Sequence, residues 1–252
     1  MRMLCFQMPG GLVNVGGDSS GGRSFSATRW SVVLAAAGDA QDALAALCRA
    51  DWYPLYAFLR RQGLSTHDAE DVTQGFFAHL LGKDALAHVD RAKGRFRTFL
   101  LASLKHFLAG ERDRANAQKR GGGQPVISLD ACEAEERYAL EPRDELSPDK
   151  LFDRRWAIAV IERALTRLGA EYSDGEKGAL FSALKPLLTA PGSARPYAEI
   201  GAEFGMNEGA VKTAVHRLRQ RYGAALRAEI AETVGSAEDV DEELRHLLDV
   251  LG

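Results

Sequence analysis

The sequence predicts an all-α protein, and three observations support that fold class. Apolar residues recur along most of the chain at the spacing of three and four residues that an amphipathic helix requires. No stretch alternates apolar and polar residues as a half-buried strand would. The β-branched stretch Val126–Leu129 follows Gly121-Gly122-Gly123-Gln124-Pro125, which is typical of a linker. We therefore expect two small helical domains joined by a flexible acidic linker at residues 121–150.

Composition excludes several classes of protein. The chain has 252 residues, a formal net charge of −3 and 46% apolar residues, which suffices for a buried core. No apolar run approaches the roughly 18 residues of a membrane span. The three cysteines form no CxxC pair, so neither a disulfide framework nor a zinc site is indicated. Residues 1–27 are glycine-rich and are expected to form a flexible arm. We expect a cytoplasmic protein with no membrane partner, metal or cofactor.

Three apolar stripes predict helices in the first unit, residues 28–120. They run along 42–60, 68–82 and 96–108, and Ser65 or Thr66 is a candidate N-cap for the second. The apolar members are Leu44, Leu47, Leu55, Phe58 and Leu59; Ala69, Val72, Phe76, Phe77, Leu80 and Leu81; and Phe96, Phe99, Leu100, Leu104, Phe107 and Leu108.

The second unit, residues 151–233, contains a helix-turn-helix pattern. A short amphipathic helix begins near Tyr197, with Pro196 placed at its first turn. Gly205 can adopt the positive φ of a tight turn, and Asn207 can cap the helix that follows. A short helix, a glycine-containing turn and a longer helix from Glu208 to about Ala228 are typical of a DNA-binding module.

The longer helix divides into an apolar face and a cationic, hydrogen-bonding face. The apolar face holds Val211, Ala214, Val215, Leu218, Tyr222 and Leu226, and the opposite face holds Lys212, Thr213, His216, Arg217 and Gln220. Arginine and lysine can bind guanine edges in the major groove, glutamine can bind adenine, and threonine can hold a phosphate. An ordinary solvated basic face is the alternative, and we favour DNA binding.

Charge is segregated along the chain. Residues 91–120 carry nine basic side chains against two acidic ones, and residues 209–227 carry five basic and no acidic ones. Acidic segments follow each of them, with net charges of −6 over 128–153 and −7 over 228–252. The acidic tail, 234–252, has the pattern of a short amphipathic helix. It either packs on the second unit or folds back to mask the basic face of the longer helix. The small total charge thus argues nothing against nucleic acid.

Two motifs of the first unit have open interpretations. Asp68, Glu70 and Asp71 begin a helix, and capping of the helix dipole explains them without a docking partner. From the residues alone we favour capping. The segment 93–99 interleaves cations with Phe96 and Phe99, which suits single-stranded nucleic acid because cations contact phosphates and rings stack on bases. Burial of both rings in the core is equally consistent with the pattern.

Three strings together resemble the bacterial sigma factors of the extracytoplasmic-function (ECF) subfamily, within the sigma-70 family. The string 68–81 resembles their core-binding helix, 96–120 resembles their promoter-melting and −10-recognition segment, and 197–219 resembles their C-terminal helix-turn-helix. The order of the units and the intervening linker agree as well. The resemblance covers roughly residues 28–233.

The resemblance implies a sigma domain 2-like unit at 28–120, a sigma domain 4-like unit at 151–233 and a role in promoter-specific transcription initiation. The implied partners are core RNA polymerase, through its β′ clamp and β flap, and promoter DNA. A regulator such as an anti-sigma factor would be a further partner, and we expect a monomer in the free state. The implied polymerase contacts are Asp68, Glu70, Asp71, Gln74 and Phe77. The implied −10 DNA contacts are Lys93, Arg95, Arg97, Lys105, Arg112, Arg114, Lys119 and Arg120, and the implied −35 contacts are Glu208, Gly209, Lys212, Thr213, His216, Arg217 and Gln220.

The chain departs from the family pattern in several places. An Asn and an Asp common in the −10 helix are replaced here by His106 and Gly110, so the −10 preference does not carry over. The stretch 172–196 is longer than usual, which puts the flap contacts in doubt. The arm at 1–27 and the tail at 234–252 are additional.

Two other classes of function compete with a sigma factor. A stand-alone helix-turn-helix regulator would use 28–120 as an effector or dimerisation domain, and it would not need the segment 93–120 for strand capture. An enzyme is disfavoured, because the six histidines lack metal-ligand spacing and the chain has no GxGxxG, P-loop or nucleophile elbow.

Overall fold

The computed structural model describes residues 41–81, 94–117, 131–141, 146–172, 175–189 and 195–252. These ranges hold helices and no strand, which confirms the all-α class for the described part of the chain. Its helices are α1 Gln41–Arg61, α2 Thr66–Leu81, α3 Phe96–Ala117, α4 Ala131–Ala139, α5 Pro148–Ala170, α6 Gly175–Leu184, α7 Pro186–Thr189, α8 Tyr197–Glu203, α9 Glu208–Ala231 and α10 Asp239–Leu251. The arm at 1–27, the glycine string 121–125 and the positions Lys93, Lys119 and Arg120 lie outside the described residues.

Local signals in the sequence explain where two of the helices begin, and the cap at Ser65 was among those predicted. The hydroxyl of Ser65 accepts a hydrogen bond from the backbone N–H of Asp68 at 3.1 Å, so Ser65 caps α2. Ser147 caps α5 in the same way, and Pro148 occupies the first turn of that helix.

The described helices enclose two hydrophobic cores. The first core takes the apolar faces of α1, α2, α3 and most of α5, together with the C-terminal end of α9 and with α10. The second core is formed by the C-terminal end of α5 with α6, α7, α8 and the first half of α9. Two long helices, α5 and α9, therefore contribute to both cores.

The first core extends well beyond the unit predicted at 28–120. Trp156 of α5 is fully buried, and its ring lies 6.1 Å from that of Phe96 in α3. Arg163 of α5 pairs with the buried carboxylate of Asp51 in α1 at 3.0 Å. The face of α5 that packs against α1 thus belongs to the same core as the first unit, although α5 begins at the end of the predicted linker.

The long stretch at 172–196 is partly helical. Its described residues form α6 and α7, whose buried side chains Phe181, Leu184 and Leu187 pack in the second core. This additional segment therefore packs against the buried side of the helix-turn-helix.

The predicted acidic linker, 121–150, is not flexible throughout, because it contains α4. Glu135 of α4 accepts hydrogen bonds from Arg60 at 2.7 and 3.1 Å and from the hydroxyl of Tyr56 at 2.6 Å. Hydrogen bonds from Arg60, assisted by Tyr56, hold the pKa of Glu135 at about 2, below the ordinary value of 4.5. One acidic side chain of this segment, Glu135, thus holds α4 against α1.

None of the helices in the described ranges combines the length and the apolar character that a membrane crossing requires.

The contact between α4 and α1 makes a prediction about stability against pH. A carboxylate with a depressed pKa stabilises the fold above its unfolded pKa, and that contribution is lost as pH falls through the folded pKa. Glu135→Gln should therefore lower the free energy of unfolding at pH 7 by about 1 kcal/mol, since the partly exposed pair is screened by solvent. The difference from the natural chain should shrink between about pH 4.5 and pH 2 in urea unfolding experiments.

Glu136→Gln is the matched control, because Glu136 is the exposed neighbour on α4. It should leave the unfolding curve unchanged. Equal effects of the two variants, or a Glu135→Gln effect that is independent of pH, would contradict the role given to Glu135.

Candidate nucleic-acid interface

Helices α8 and α9 form a helix-turn-helix whose turn is tightly closed. Gly205 adopts a φ of 65°, and the backbone N–H of Met206 donates to the carbonyl of Gly201 at 2.8 Å. The side-chain oxygen of Asn207 accepts from the N–H of Ala210 at 2.8 Å, which confirms the predicted N-cap of α9.

Gly201 is required by the close approach of the turn to α8. A Cβ at this position would collide with the carbonyl oxygen of Met206, in backbone that cannot move independently of the turn. Val211 of α9 lies against the same point. The absence of a side chain at Gly201 therefore sets how closely α9 approaches α8.

The structure places the predicted −35 residues on one exposed face of α9. Val211, Val215 and Leu218 are buried in the second core, as the periodicity predicts. The predicted contacts are all exposed, and they are Glu208, Gly209, Lys212, Thr213, His216, Arg217 and Gln220.

Contacts on the exposed face of α9 differ between its first turn and the turns that follow. Lys212 pairs with Glu208 at 2.9 Å, and this hydrogen bond raises the pKa of Lys212. Among the side chains that the structure describes, His216, Arg217 and Gln220 make no ion pair or hydrogen bond. These three side chains can therefore reach a ligand without breaking an internal contact.

The predicted polymerase contacts on α2 divide into a polar set and one buried residue. Asp68 and Asp71 are exposed, Glu70 and Gln74 are half-buried, and Asp71 lies 3.1 Å from His67 on the same helix. Phe77 is only 1% exposed. Phe77 belongs to the apolar stripe of α2, so in this structure its side chain faces the core and is not exposed to a partner.

Two of the cations predicted to contact −10 DNA, Arg95 and Arg97, are paired with acidic groups from later in the chain. Arg97 is 7% exposed, and its guanidinium pairs with Glu243 of α10 at 2.7 Å and with Asp153 of α5 at 2.7 Å. Arg95 pairs with Glu242 at 2.7 Å and with Glu243 at 2.9 Å. In this structure Arg97 is thus a buried ion-pair residue, and its guanidinium is not open to DNA while these pairs are formed.

The remaining members of the predicted −10 surface are less completely described. Lys105 pairs with Asp149 of α5, and its ammonium lies 5.6 Å from the centre of the Phe58 ring. Phe96 is fully buried, so of the two interpretations, stacking on bases or packing in the core, the structure supports packing in the core. Phe99 is half-buried. Arg112 and Arg114 belong to α3, but their side chains lie outside the described set.

The acidic tail forms α10, as the sequence predicts, but it does not cover the exposed face of α9. Its buried residues Val240 and Leu247 join the first core. Only the C-terminal part of α9 contacts the tail by an ion pair, from Arg227 to Asp241. The sequence analysis did not identify Glu242 and Glu243 as partners of Arg95 and Arg97 at the start of α3. The opposite net charges of segments 91–120 and 228–252 were the one feature of the sequence that pointed to this pairing.

A groove lies between α2 and α3, beside the two positions where the family pattern is broken. It encloses about 270 Å³ and is lined by His79, His106, Phe107 and Gly110, among others. The ring of His79 lies 5.4 Å from that of Phe107. The groove thus presents aromatic surface together with imidazole groups.

Comparison with known proteins assigns no family. No protein-family model matches the chain, and neither a curated protein nor a solved structure shows significant similarity to it.

The close approach at Gly201 makes a second prediction. Gly201→Ala should lower the free energy of unfolding by about 1–3 kcal/mol, because the added methyl overpacks the turn. Denaturant unfolding measures this effect.

Gly223→Ala is the matched control, because it lies inside α9 and its Cβ would meet no atom within 4 Å. It should raise stability by about 0.5–1 kcal/mol through helix propensity. A neutral or stabilising Gly201→Ala would show that the turn does not depend on that contact.

Proposed function

We propose that this chain is a sigma factor of the ECF type, which binds core RNA polymerase and directs promoter-specific transcription initiation. The proposal rests first on the exposed face of α9. A helix held by a tight turn presents His216, Arg217 and Gln220 outward while its opposite face is buried. Such a helix can enter the major groove and contact base edges.

The polar face of α2 supports the polymerase contact. Asp71 is exposed and Gln74 is half-buried, and they are three residues apart on one side of the helix. The buried Phe76 and Phe77 fix α2 against the core, so a partner would meet a rigid acidic surface. A basic coiled coil is the kind of partner that this surface fits.

A stand-alone helix-turn-helix regulator is the second candidate, and one observation favours it. The segment that begins α3 has its aromatic ring Phe96 and its cation Arg97 buried, so it presents less strand-capturing surface than a melting element requires. A regulator would need only the face of α9. The two functions differ in whether the chain binds core polymerase.

Run-off transcription with purified core polymerase tests the proposal. We expect transcripts from a promoter upstream of the protein's own gene only when the protein is present. Asp71→Ala combined with Gln74→Ala should weaken binding to core polymerase and reduce transcript yield, with the thermal unfolding curve unchanged. Failure to bind core polymerase would overturn the sigma assignment and leave the regulator.

The exposed face of α9 makes a separate prediction about DNA. Arg217→Ala should weaken binding to a duplex that the natural chain selects from a random library, by about 1–3 kcal/mol if Arg217 contacts a base. Arg219→Ala is the control, since Arg219 is on the same helix but donates to the carbonyl of Leu187. An equal loss from Arg217→Ala on all duplexes would reassign Arg217 to a phosphate contact.

A further inference from the structure

Helix α10 holds the start of α3 through a network of ion pairs. Glu243 accepts from the guanidinium of Arg97 at 2.7 Å and from that of Arg95 at 2.9 Å. Glu242 adds a contact to Arg95 at 2.7 Å. The backbone N–H of Phe96 donates to the carbonyl of Thr233 at 2.8 Å, so the loop before α10 is attached to the same point.

The network has a buried part and an exposed part. Glu243 is 1% exposed and the side chain of Arg97 is 9% exposed, so this pair is removed from solvent. Glu242 is 62% exposed, and the side chain of Arg95 is 27% exposed. The outer pair can therefore open without disturbing the core, whereas the inner pair opens only if α10 moves.

The carboxylates occupy the same donor groups that a nucleic acid would use. A guanidinium presents its N–H groups in a planar fork that fits a carboxylate or a phosphate equally well. Arg95 has the carboxylates of Glu242 and Glu243 on its fork, and Arg97 has Glu243 together with Asp153. DNA phosphates and α10 cannot occupy these donors at the same time.

We propose that α10 is a built-in competitor of single-stranded DNA for Arg95 and Arg97. This inference rests on the proposed function together with the promoter-melting role that the family resemblance implies for the start of α3. With α10 in place the surface is closed to DNA, and with α10 displaced Arg95 is released while Arg97 keeps only its pair with Asp153 of α5. The tail thus acts as an intramolecular phosphate mimic on the melting segment, and not on α9.

The apolar side of α10 favours its return to the first core after displacement. Val240 and Leu247 are buried in the first core, and Arg227 of α9 pairs with Asp241. Displacement therefore exposes apolar surface, which favours closure once DNA leaves. Removing the whole helix would also expose this surface, so single substitutions are the better test.

Glu242→Gln in the full-length chain tests the competition. Fluorescence anisotropy measures binding of a short labelled single-stranded oligonucleotide of mixed sequence at low salt. Loss of the outer pair should tighten binding by about two- to five-fold, the range expected for an exposed charge pair. Adding Arg95→Ala to Glu242→Gln should abolish the gain.

Asp249→Asn is the matched control, because Asp249 is an exposed acid on the same helix. It changes the net charge by the same amount, so its effect measures general electrostatics. Equal affinities of Glu242→Gln and Asp249→Asn would overturn the proposal, as would the absence of single-strand binding by every variant.

Hydrogen exchange separates this proposal from the proposed function. A saturating single-stranded oligonucleotide should accelerate amide exchange in 239–251 of the natural chain, while duplex DNA should not. Unchanged exchange with bound single strand would overturn the competition, whatever transcription shows. Accelerated exchange together with failed run-off transcription would leave the competition standing and remove the sigma assignment.

Discussion

Helix α5 carries a continuous apolar face that enters both hydrophobic cores, and the other helices are arranged around it. Trp156 and Phe152 fill the first core beside Phe96, and Leu168 reaches the second. On its polar side, Arg163 pairs with Asp51 of α1 and with Glu229 of α9. Because one rigid helix spans both cores, displacement of α5 would disturb the platform beneath α9 and the packing of α3 together.

Features that depend on neighbouring residues could be predicted from the sequence. The stripe of α2, the faces of α9 and the caps at Ser65 and Asn207 follow from helical spacing and from side chains three residues away. Phe77 is a further example of a feature that local spacing predicts. Its position in the apolar stripe of α2 predicts a buried side chain, which the structure confirms, whereas the family resemblance implied a contact with a partner.

Pairings between distant residues could not be predicted, because a charge does not encode its partner. Arg97 and Glu243 are 146 residues apart, and either could have paired with several other groups. The segment charges suggested a basic partner for the acidic tail, but the exposed face of α9 and the start of α3 are both basic. Packing decides between them: Val240 and Leu247 bury α10 in the first core, which brings Glu243 to α3.

The ion pairs of α10 also constrain how a nucleic acid could act on this protein. A ligand shifts a two-state equilibrium only by its difference in affinity for the two states. Under the proposed function, duplex DNA would lie on the exposed face of α9 and would not contact Glu242 or Glu243, so it would have no such difference in affinity to contribute. A single strand bound as proposed at Arg95 and Arg97 would have one, because Glu243 pairs with both guanidinium groups until α10 leaves. Coupling to α10 should therefore belong to the melted state of the DNA.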